Sequence, residues 1–273
     1  MKNEVCIIGS GLTGPLLSSI LSKKYNFKIN LFERSSDSRI SNNFSGRSIN
    51  LALSKRGINA LKYADIYNND FKSQLIPMYG RTIHAINGNI TFHPYGNKKE
   101  HYINSVSRFA INQMIVNHSE RSNNVKIHFD MQCMQVDLLN NRLQFGKNFL
   151  DVLSPIIGAD GYKSVVATEI AKLNNEELEY INIEHAYKEL NIPSKNNEYQ
   201  LEPNSLHIWP RRDLMMIALP NIDKSFTCTL FMKNNGNNSF NKINNEQKLH
   251  TFFEKNFNDA LNLIPNLKSD FFN

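Results

Sequence analysis

EVCIIGSGLTG, residues 4–14, decides the fold of this chain. Residues 4–8 are a short apolar run of the kind that makes a buried strand, and Gly9-Ser10-Gly11-Leu12-Thr13-Gly14 matches G-x-G-x-x-G. Residues 15–24 (PLLSSILSKK) read as a helix, with Pro15 tolerated in its first turn. Residues 28–32 (KINLF) form a second β-rich run. Strand, glycine turn, helix and strand make a βαβ unit, expected to be right-handed with parallel strands. Each glycine has a physical task. Gly9 permits a tight turn, Gly11 lets the backbone approach a pyrophosphate, and Gly14 lets helix and strand pack closely. The helix then aims its free N–H groups at the phosphates. Glu33 ends the second strand, 19 residues after Gly14, where a carboxylate can accept hydrogen bonds from a ribose diol. A dinucleotide site follows. Whether it takes NAD(P) or FAD is not decided by this unit.

Outward from there, 53–64 (LSKRGINALKYA) is amphipathic, and 82–95 (TIHAINGNITFHPY) reads as a hairpin with a type I′ turn at Asn87-Gly88. Residues 107–119 are expected to be a helix and 125–138 strands. PIIGADG, 155–161, reads as a buried strand ending in a glycine-bounded turn before another helix. From about residue 178 the pattern changes to short β runs over 199–232, their turns marked by Pro210 and Pro220, which implies a second sheet. The Asn-rich stretch 234–247 is a loop, and Leu249, Phe252, Phe253, Phe257 and Ala260 repeat at helical spacing. The final DFFN looks like the start of a further β run.

Composition excludes several classes. The chain has 273 residues, 41% hydrophobic and 21% charged, ordinary for a globular protein. Its formal charge of +6 comes from scattered Lys and Arg, a solvated surface that also suits small anionic ligands, so no nucleic-acid partner is expected. Cys6, Cys133 and Cys228 have neither disulfide nor metal-ligand spacing. No signal peptide, membrane anchor or apolar run of spanning length is visible, and a reducing cytoplasm is the expected compartment.

Other candidates are open on the residues alone. Asp160, flanked by Gly158 and Gly161, is either a helix cap or a carboxylate near a second face of a cofactor. Trp209 reads as core, Arg47 as a loop cation, Arg81 as an exposed strand charge and Tyr95 as a hairpin aromatic. His84, His93 and His207 have no metal-ligand spacing and read as satisfied polar residues.

GSGLTGPLL, GRSINLALSKRG (46–57), TIHAINGNITFHPYG, INSVSR, GADG and LHIWPRRDLMMIALPNIDKSFTCTLFM (206–232) together resemble the kynurenine 3-monooxygenase family, within the class A flavin hydroxylases, from the first strand to the last residue. The resemblance implies an α/β protein: a Rossmann-like FAD-binding domain with an inserted β-sheet substrate domain. The corresponding division is 1–75 and 106–175 for FAD, with a substrate-domain hairpin at 76–105 and the rest of that domain at 176–273. The family continues into a Gly-Asp cofactor motif that is not found here, so a truncated sequence is expected.

Position by position, the resemblance places Gly9, Gly11, Thr13 and Gly14 against the FAD pyrophosphate. It gives Phe32, Glu33, Arg34 and Ser35 to the adenosine ribose, and Ala52 and Arg108 to the cofactor. Cys133 stands where the family's backbone nears the adenine, and Asp160 belongs to the Asp-Gly motif at FAD. Arg81 and Tyr95 would hold the substrate carboxylate. The implied reaction is 3-hydroxylation of L-kynurenine with NADPH and O2, with flavin-borne chemistry and no protein nucleophile. The rival readings are an NAD(P)-dependent dehydrogenase and a non-catalytic flavoprotein fragment.

Overall fold

A computed structural model describes residues 3–40 and 50–273, so the expectation for Arg47 and for residues 46–49 lies outside the described residues. In chain order the elements begin β1 (Glu4–Ile8), α1 (Thr13–Tyr25), β2 (Lys28–Phe32), β3 (Asn50–Leu53), α2 (Lys55–Tyr63), α3 (Asn69–Lys72), β4 (Ile76–Met78) and β5 (Gly80–His84). They continue with β6 (Ile90–Pro94), β7 (Ile103–Ser107), α4 (Arg108–Glu120), β8 (Val125–His128), β9 (Cys133–Asp137), β10 (Arg142–Phe145), β11 (Asn148–Asp151) and β12 (Ile156–Gly158). The last are α5 (Val165–Leu173), β13 (His185–Ile192), β14 (Ser205–Arg211), β15 (Leu214–Pro220), β16 (Phe226–Lys233), α6 (Glu246–Leu261) and α7 (Leu267–Phe272).

The chain divides into two units: Met1–Gly46, Ile58–Phe71 and Phe109–Tyr180 form the first, and Arg47–Gly57, Lys72–Arg108 and Ile181–Asn273 the second. The first is an α/β unit on a parallel sheet of order β12-β1-β2-β8. Because side chains alternate along a strand, Val5 and Ile7 join Ile29 and Leu31 against Leu17 and Leu21 of α1. Cys6 and Ile8 face the other way, into a cluster with Val136, Leu143, Phe145 and Val166. Helix α1 meets the sheet through small residues, Gly14, Ser18, Ser19 and Ser22. Ser18 and Ser19 return their hydroxyls to the carbonyls of Gly14 and Pro15 at 2.9 and 3.0 Å, so the buried serines are satisfied. Asn26 then ends the helix in the left-handed region. A three-stranded sheet, β11-β10-β9, completes this unit.

The second unit is built on a six-stranded sheet, β13-β16-β15-β14-β5-β6, antiparallel except where β14 runs parallel to β5. One face carries Trp209, Met216, Ala218, Cys228 and Leu230, packed on Leu249, Phe253 and Phe257 of α6 and Phe271 of α7. Each large side chain buried here contributes about 1.5–3 kcal/mol. A smaller sheet, β3-β7-β4, lies in the same unit. It is tied to the end of β15 by Asn50 Nδ2 and Ser105 Oγ, which both donate to the Pro220 carbonyl, at 3.2 and 2.8 Å.

Three sequence expectations are corrected. Only Gly88 of the β5–β6 turn has positive φ (85°), whereas a type I′ turn needs two such residues. Ala85 N–H bonds to Asn89 O and Gly88 N–H to Ala85 O, a three-residue loop closed by a left-handed glycine. The prolines do not mark the turns: Pro210 lies inside β14 and Pro220 ends β15. Arg212 makes the first turn, at φ 54°. Finally, DFFN belongs to helix α7, because Leu267 and Phe271, four apart, both bury on the sheet's core face.

Candidate functional site

In the first unit the glycine turn has the geometry its sequence requires. Gly9 sits at φ +104°, and a Cβ there would lie 2.4 Å from the Ala159 carbonyl oxygen. A Cβ on Gly14 would lie 2.0 Å from the Gly9 carbonyl oxygen, so both positions are fixed by backbone packing. At Gly11 a Cβ would meet nothing within 4 Å, and the space above the turn is open. Helix α1 begins at Thr13, exposed, with no side-chain cap on its first N–H groups. Among the described residues the buried Ser10 hydroxyl has no hydrogen-bond partner. Open volume over a glycine, uncapped helix N–H groups and a stranded hydroxyl together fit a bound pyrophosphate.

Glu33 shapes this turn. Its Oε2 accepts the Ser10 N–H at 2.7 Å and its Oε1 accepts the Ser35 N–H at 2.9 Å, so the carboxylate braces the loop and keeps lone pairs for a diol. Phe32 differs from its neighbours. Its ring is core, stacked on His128 at 4.7 Å, and its carbonyl accepts the Gly9 N–H. Arg34 and Ser35 are exposed beside Glu33. The residue that sequence reasoning missed is Asn112 of α4, whose Nδ2 donates to the Ser10 and Gly11 carbonyls at 3.0 and 2.9 Å. An asparagine in a helix gives no sequence signal for such a clamp.

Asp160 caps a helix. Its Oδ1 accepts from Ser164 Oγ at 2.6 Å and its Oδ2 from Val165 N–H at 2.8 Å at the start of α5. Cys133 is buried at the head of β9, and burial, followed by the Asp160 charge, pushes its thiol up to about 11. Such a thiol is not ionised at neutral pH.

In the second unit, Ala52 is exposed on β3 opposite Ser105, and Arg108 is exposed at the head of α4, one turn before Asn112. Arg81 and Tyr95 come together: the guanidinium carbon lies 5.2 Å from the centre of the Tyr95 ring. The cation lies over the ring face and close enough to the hydroxyl to act on it, and among the described residues the buried Tyr95 hydroxyl makes no hydrogen bond of good geometry. Burial raises that phenol above its ordinary value, with Arg81 partly opposing the shift.

The register shows what surrounds this pair. Arg81 stands opposite Leu206, Ile83 opposite Ile208, Ile208 opposite Ile217 and Met215 opposite Phe231. These residues share the sheet face turned away from the α6 core, and most are only half buried. A cation beside a half-buried apolar sheet face is a place for an amphipathic anion. The sequence of these strands gave no hint of it, because both faces are apolar. Among the described residues no group of three or more His, Cys, Asp or Glu side chains could hold a metal, and no helix is long and apolar enough to cross a membrane.

The chain is similar along its whole length to kynurenine 3-monooxygenases. It is 40% identical over 274 residues to that of Dictyostelium discoideum, covering 100% of this chain and 59% of the relative. It is 38% identical over 276 residues to that of Legionella pneumophila (strain Corby), covering 98% and 60%. With that of Sus scrofa the identity is 40% over 284 residues, covering 99% and 58%. The chain thus spans about 60% of the length of these curated relatives. No family model matches it. Among solved structures it superposes on a flavoprotein/dehydrogenase from Cytophaga hutchinsonii with a TM-score of 0.71 at 12% identity, covering 96% of this chain and 63% of the other. PqsL of P. aeruginosa, solved with 2-aminobenzoylacetate, gives 0.64 at 14% identity, covering 84% and 60%. The chain shares the fold of these solved structures.

Proposed function

We propose that this chain carries the FAD cradle and the substrate-binding sheet of a flavin hydroxylase that converts L-kynurenine to 3-hydroxy-L-kynurenine with NADPH and O2. The observation that carries this reading is the Arg81–Tyr95 pair: a cation and a buried hydroxyl beside a half-buried apolar face, in a chain that also holds a dinucleotide turn. Kynurenine has matching parts, a carboxylate at one end and an aromatic ring at the other.

When bound, FAD supplies the redox chemistry, taking electrons from NADPH and activating O2. Gly9, Gly11, Thr13 and Gly14 would receive its pyrophosphate and Glu33, beside Arg34 and Ser35, its ribose. Phe32 would act through the strand it anchors, and Asp160, Cys133, Ala52 and Arg108 would border the rest of the cofactor. The residues of the second unit bind and orient. Arg81 grips the carboxylate with two parallel N–H bonds and Tyr95 donates its hydroxyl. Leu206, Ile208 and Ile217 lie under the ring and exclude water. The amino group of kynurenine already activates its ortho carbon, so no side chain needs to act as a nucleophile.

The test is to purify the chain with FAD present and titrate it with kynurenine. Retained flavin at one per chain, with a kynurenine-dependent change in its spectrum, is expected. A chain that binds NAD(H) and no flavin would establish the dehydrogenase reading instead.

A further inference from the structure

Beneath Arg81, on the core face of the second unit, runs a line of buried polar side chains that substrate binding does not use. His84 Nδ1 is 2.9 Å from Asp259 Oδ2, and the same oxygen accepts the Trp209 Nε1–H at 2.8 Å. His84 Nε2 is 2.9 Å from His207 Nδ1, and His207 Nε2 is 2.9 Å from the Glu202 carbonyl oxygen. His84 and His207 are 3% and 2% exposed, so water does not complete their bonding.

Two neutral imidazoles carry too few protons for this line. A carbonyl can only accept, so His207 must donate from Nε2 and, as a neutral ring, accept at Nδ1. His84 must therefore donate from Nε2. Its Nδ1 then faces a carboxylate oxygen already receiving a proton from Trp209. Three hydrogen bonds need three protons, and two neutral imidazoles supply two. We propose that the third proton resides on His84, so that an imidazolium paired with Asp259 locks β5, the strand that carries Arg81, in register against β14 and α6.

The surroundings suit a cation at His84. Its ring stacks on Trp209 with centroids 4.0 Å apart and planes 18° apart, over the electron-rich indole face. Asp259, on α6, keeps its carboxyl below the usual range despite partial burial, held there by His84 and Trp209. His207 is pushed down to about 4 by burial, which makes it the neutral partner. The other charge at hand is Arg211 on β14. Its donors go to the carbonyls of Asn256, His84 and Pro210, which leaves Asp259 Oδ2 to His84 and Trp209. Glu202 contributes its carbonyl only. Two residues nearer the hairpin start, Thr82 Oγ1 and Ser205 Oγ meet at 2.6 Å, so the parallel β5–β14 joint is stitched by side-chain polar pairs. A seam of this kind specifies register, because a slipped strand would bury unpaired polar groups.

His84 acts here as a positioning residue for Arg81, and that last step rests on the proposed binding of kynurenine. The array itself is testable without substrate. In ¹⁵N-labelled chain near pH 7, His84 is expected to show protons on both ring nitrogens and His207 on Nε2 alone. D259N should strip His84 of its Nδ1 proton and speed amide exchange along β5 by tenfold or more, leaving β1 and β2 unchanged. A wild-type His84 with one bare ring nitrogen overturns the proposal, and so does β5 protection that ignores D259N. If D259N does not fold, raising the pH on the wild type replaces it: loss of the Nδ1 proton must coincide with loss of β5 protection. Protection lost with kynurenine affinity intact would overturn the positioning of Arg81 by His84 and not the array.

Discussion

Around Gly9–Gly14 the groups offered to a ligand are backbone N–H groups and volume from which side chains are absent. Around Arg81 they are side chains standing on a finished sheet. The first arrangement constrains residue type absolutely, since any Cβ at Gly14 would overlap the Gly9 carbonyl. The second constrains it through the ligand alone, since an exposed Arg on a strand is compatible with many sequences. The two sites should therefore fail differently. In the first, structure and binding are lost together or separately according to which glycine is touched. In the second, binding is lost while the fold persists.

The largest effect is expected in the glycine turn. Gly14→Ala places a methyl 2.0 Å from a backbone oxygen that cannot swing aside, and should cost about 3 kcal/mol or more, enough to unfold a marginal unit. Gly11→Ala meets nothing within 4 Å, so its thermal transition should stay close to wild type while flavin retention drops. Equal losses of stability in the two variants, read by thermal melts, would erase the distinction between packing glycine and ligand glycine.

This contrast also explains what the sequence could and could not disclose. Strands β1 and β2, helix α1 and the place of Glu33 just after β2 were readable because glycine positions and apolar runs leave few alternatives. The core role of Trp209 was readable from its type. The apolar face around Ile217 was not, because the sheet is apolar on both sides and alternation carries no sign of which face stays open. The clamp from Asn112 was hidden because it joins two places 102 residues apart. The terminal helix α7 was mistaken for a strand since six residues show too few turns for a period to emerge. Arg81 and Tyr95 were given by family resemblance; their contact is what the fold adds.

On the side-chain site, Arg81→Ala should weaken kynurenine binding by about 2–4 kcal/mol, since the carboxylate loses a paired, charge-assisted contact. Flavin content should hold. Arg81→Lys should recover part of the loss, because an ammonium lacks the planar fork. A calorimetric titration showing unchanged kynurenine affinity, or an Arg81→Ala protein emptied of flavin, would place Arg81 elsewhere in the chemistry.

Acid should separate the units next. His207 titrates near 4 when folded, against about 6.5 for a free histidine, so between these values the unfolded chain binds a proton that the folded one refuses. Stability is complete above the unfolded value and falls as pH drops from about 6.5 toward 4, by about 2–3 kcal/mol. The first unit has His118 and His128 lowered in the same direction, mainly by burial, so the slope alone does not discriminate. His207→Asn does: denaturant melts at several pH values should show a shallower acid slope for the second unit only.

Glu33 tests whether the backbone site also depends on a side chain. Its carboxylate braces Ser10 and Ser35 through two charge-assisted bonds. Glu33→Ala should lower FAD affinity by about 1–3 kcal/mol, with Glu33→Gln losing less because one amide oxygen can still accept. Fluorescence titration of apoprotein with FAD measures this, and an unchanged affinity removes Glu33 from the ribose site.

The smallest effect has two opposite signs, and for that reason it is the sharpest. Among the described residues Tyr95 keeps a buried hydroxyl that has Arg81 as its charged neighbour but makes no hydrogen bond of good geometry. A stranded polar group opposes folding, and replacing it by hydrogen relieves the burial cost without opening a cavity larger than one oxygen. Tyr95→Phe should therefore be as stable as wild type or slightly more stable. Once a carboxylate arrives, the same hydroxyl has an acceptor, and its removal should weaken kynurenine by about 1 kcal/mol, as one hydrogen bond warrants. An analogue of kynurenine without its carboxylate should bind the wild type and Tyr95→Phe equally. If the substitution instead destabilises the free chain and leaves kynurenine affinity alone, the hydroxyl serves the fold, and the substrate end of the sheet lies away from Tyr95.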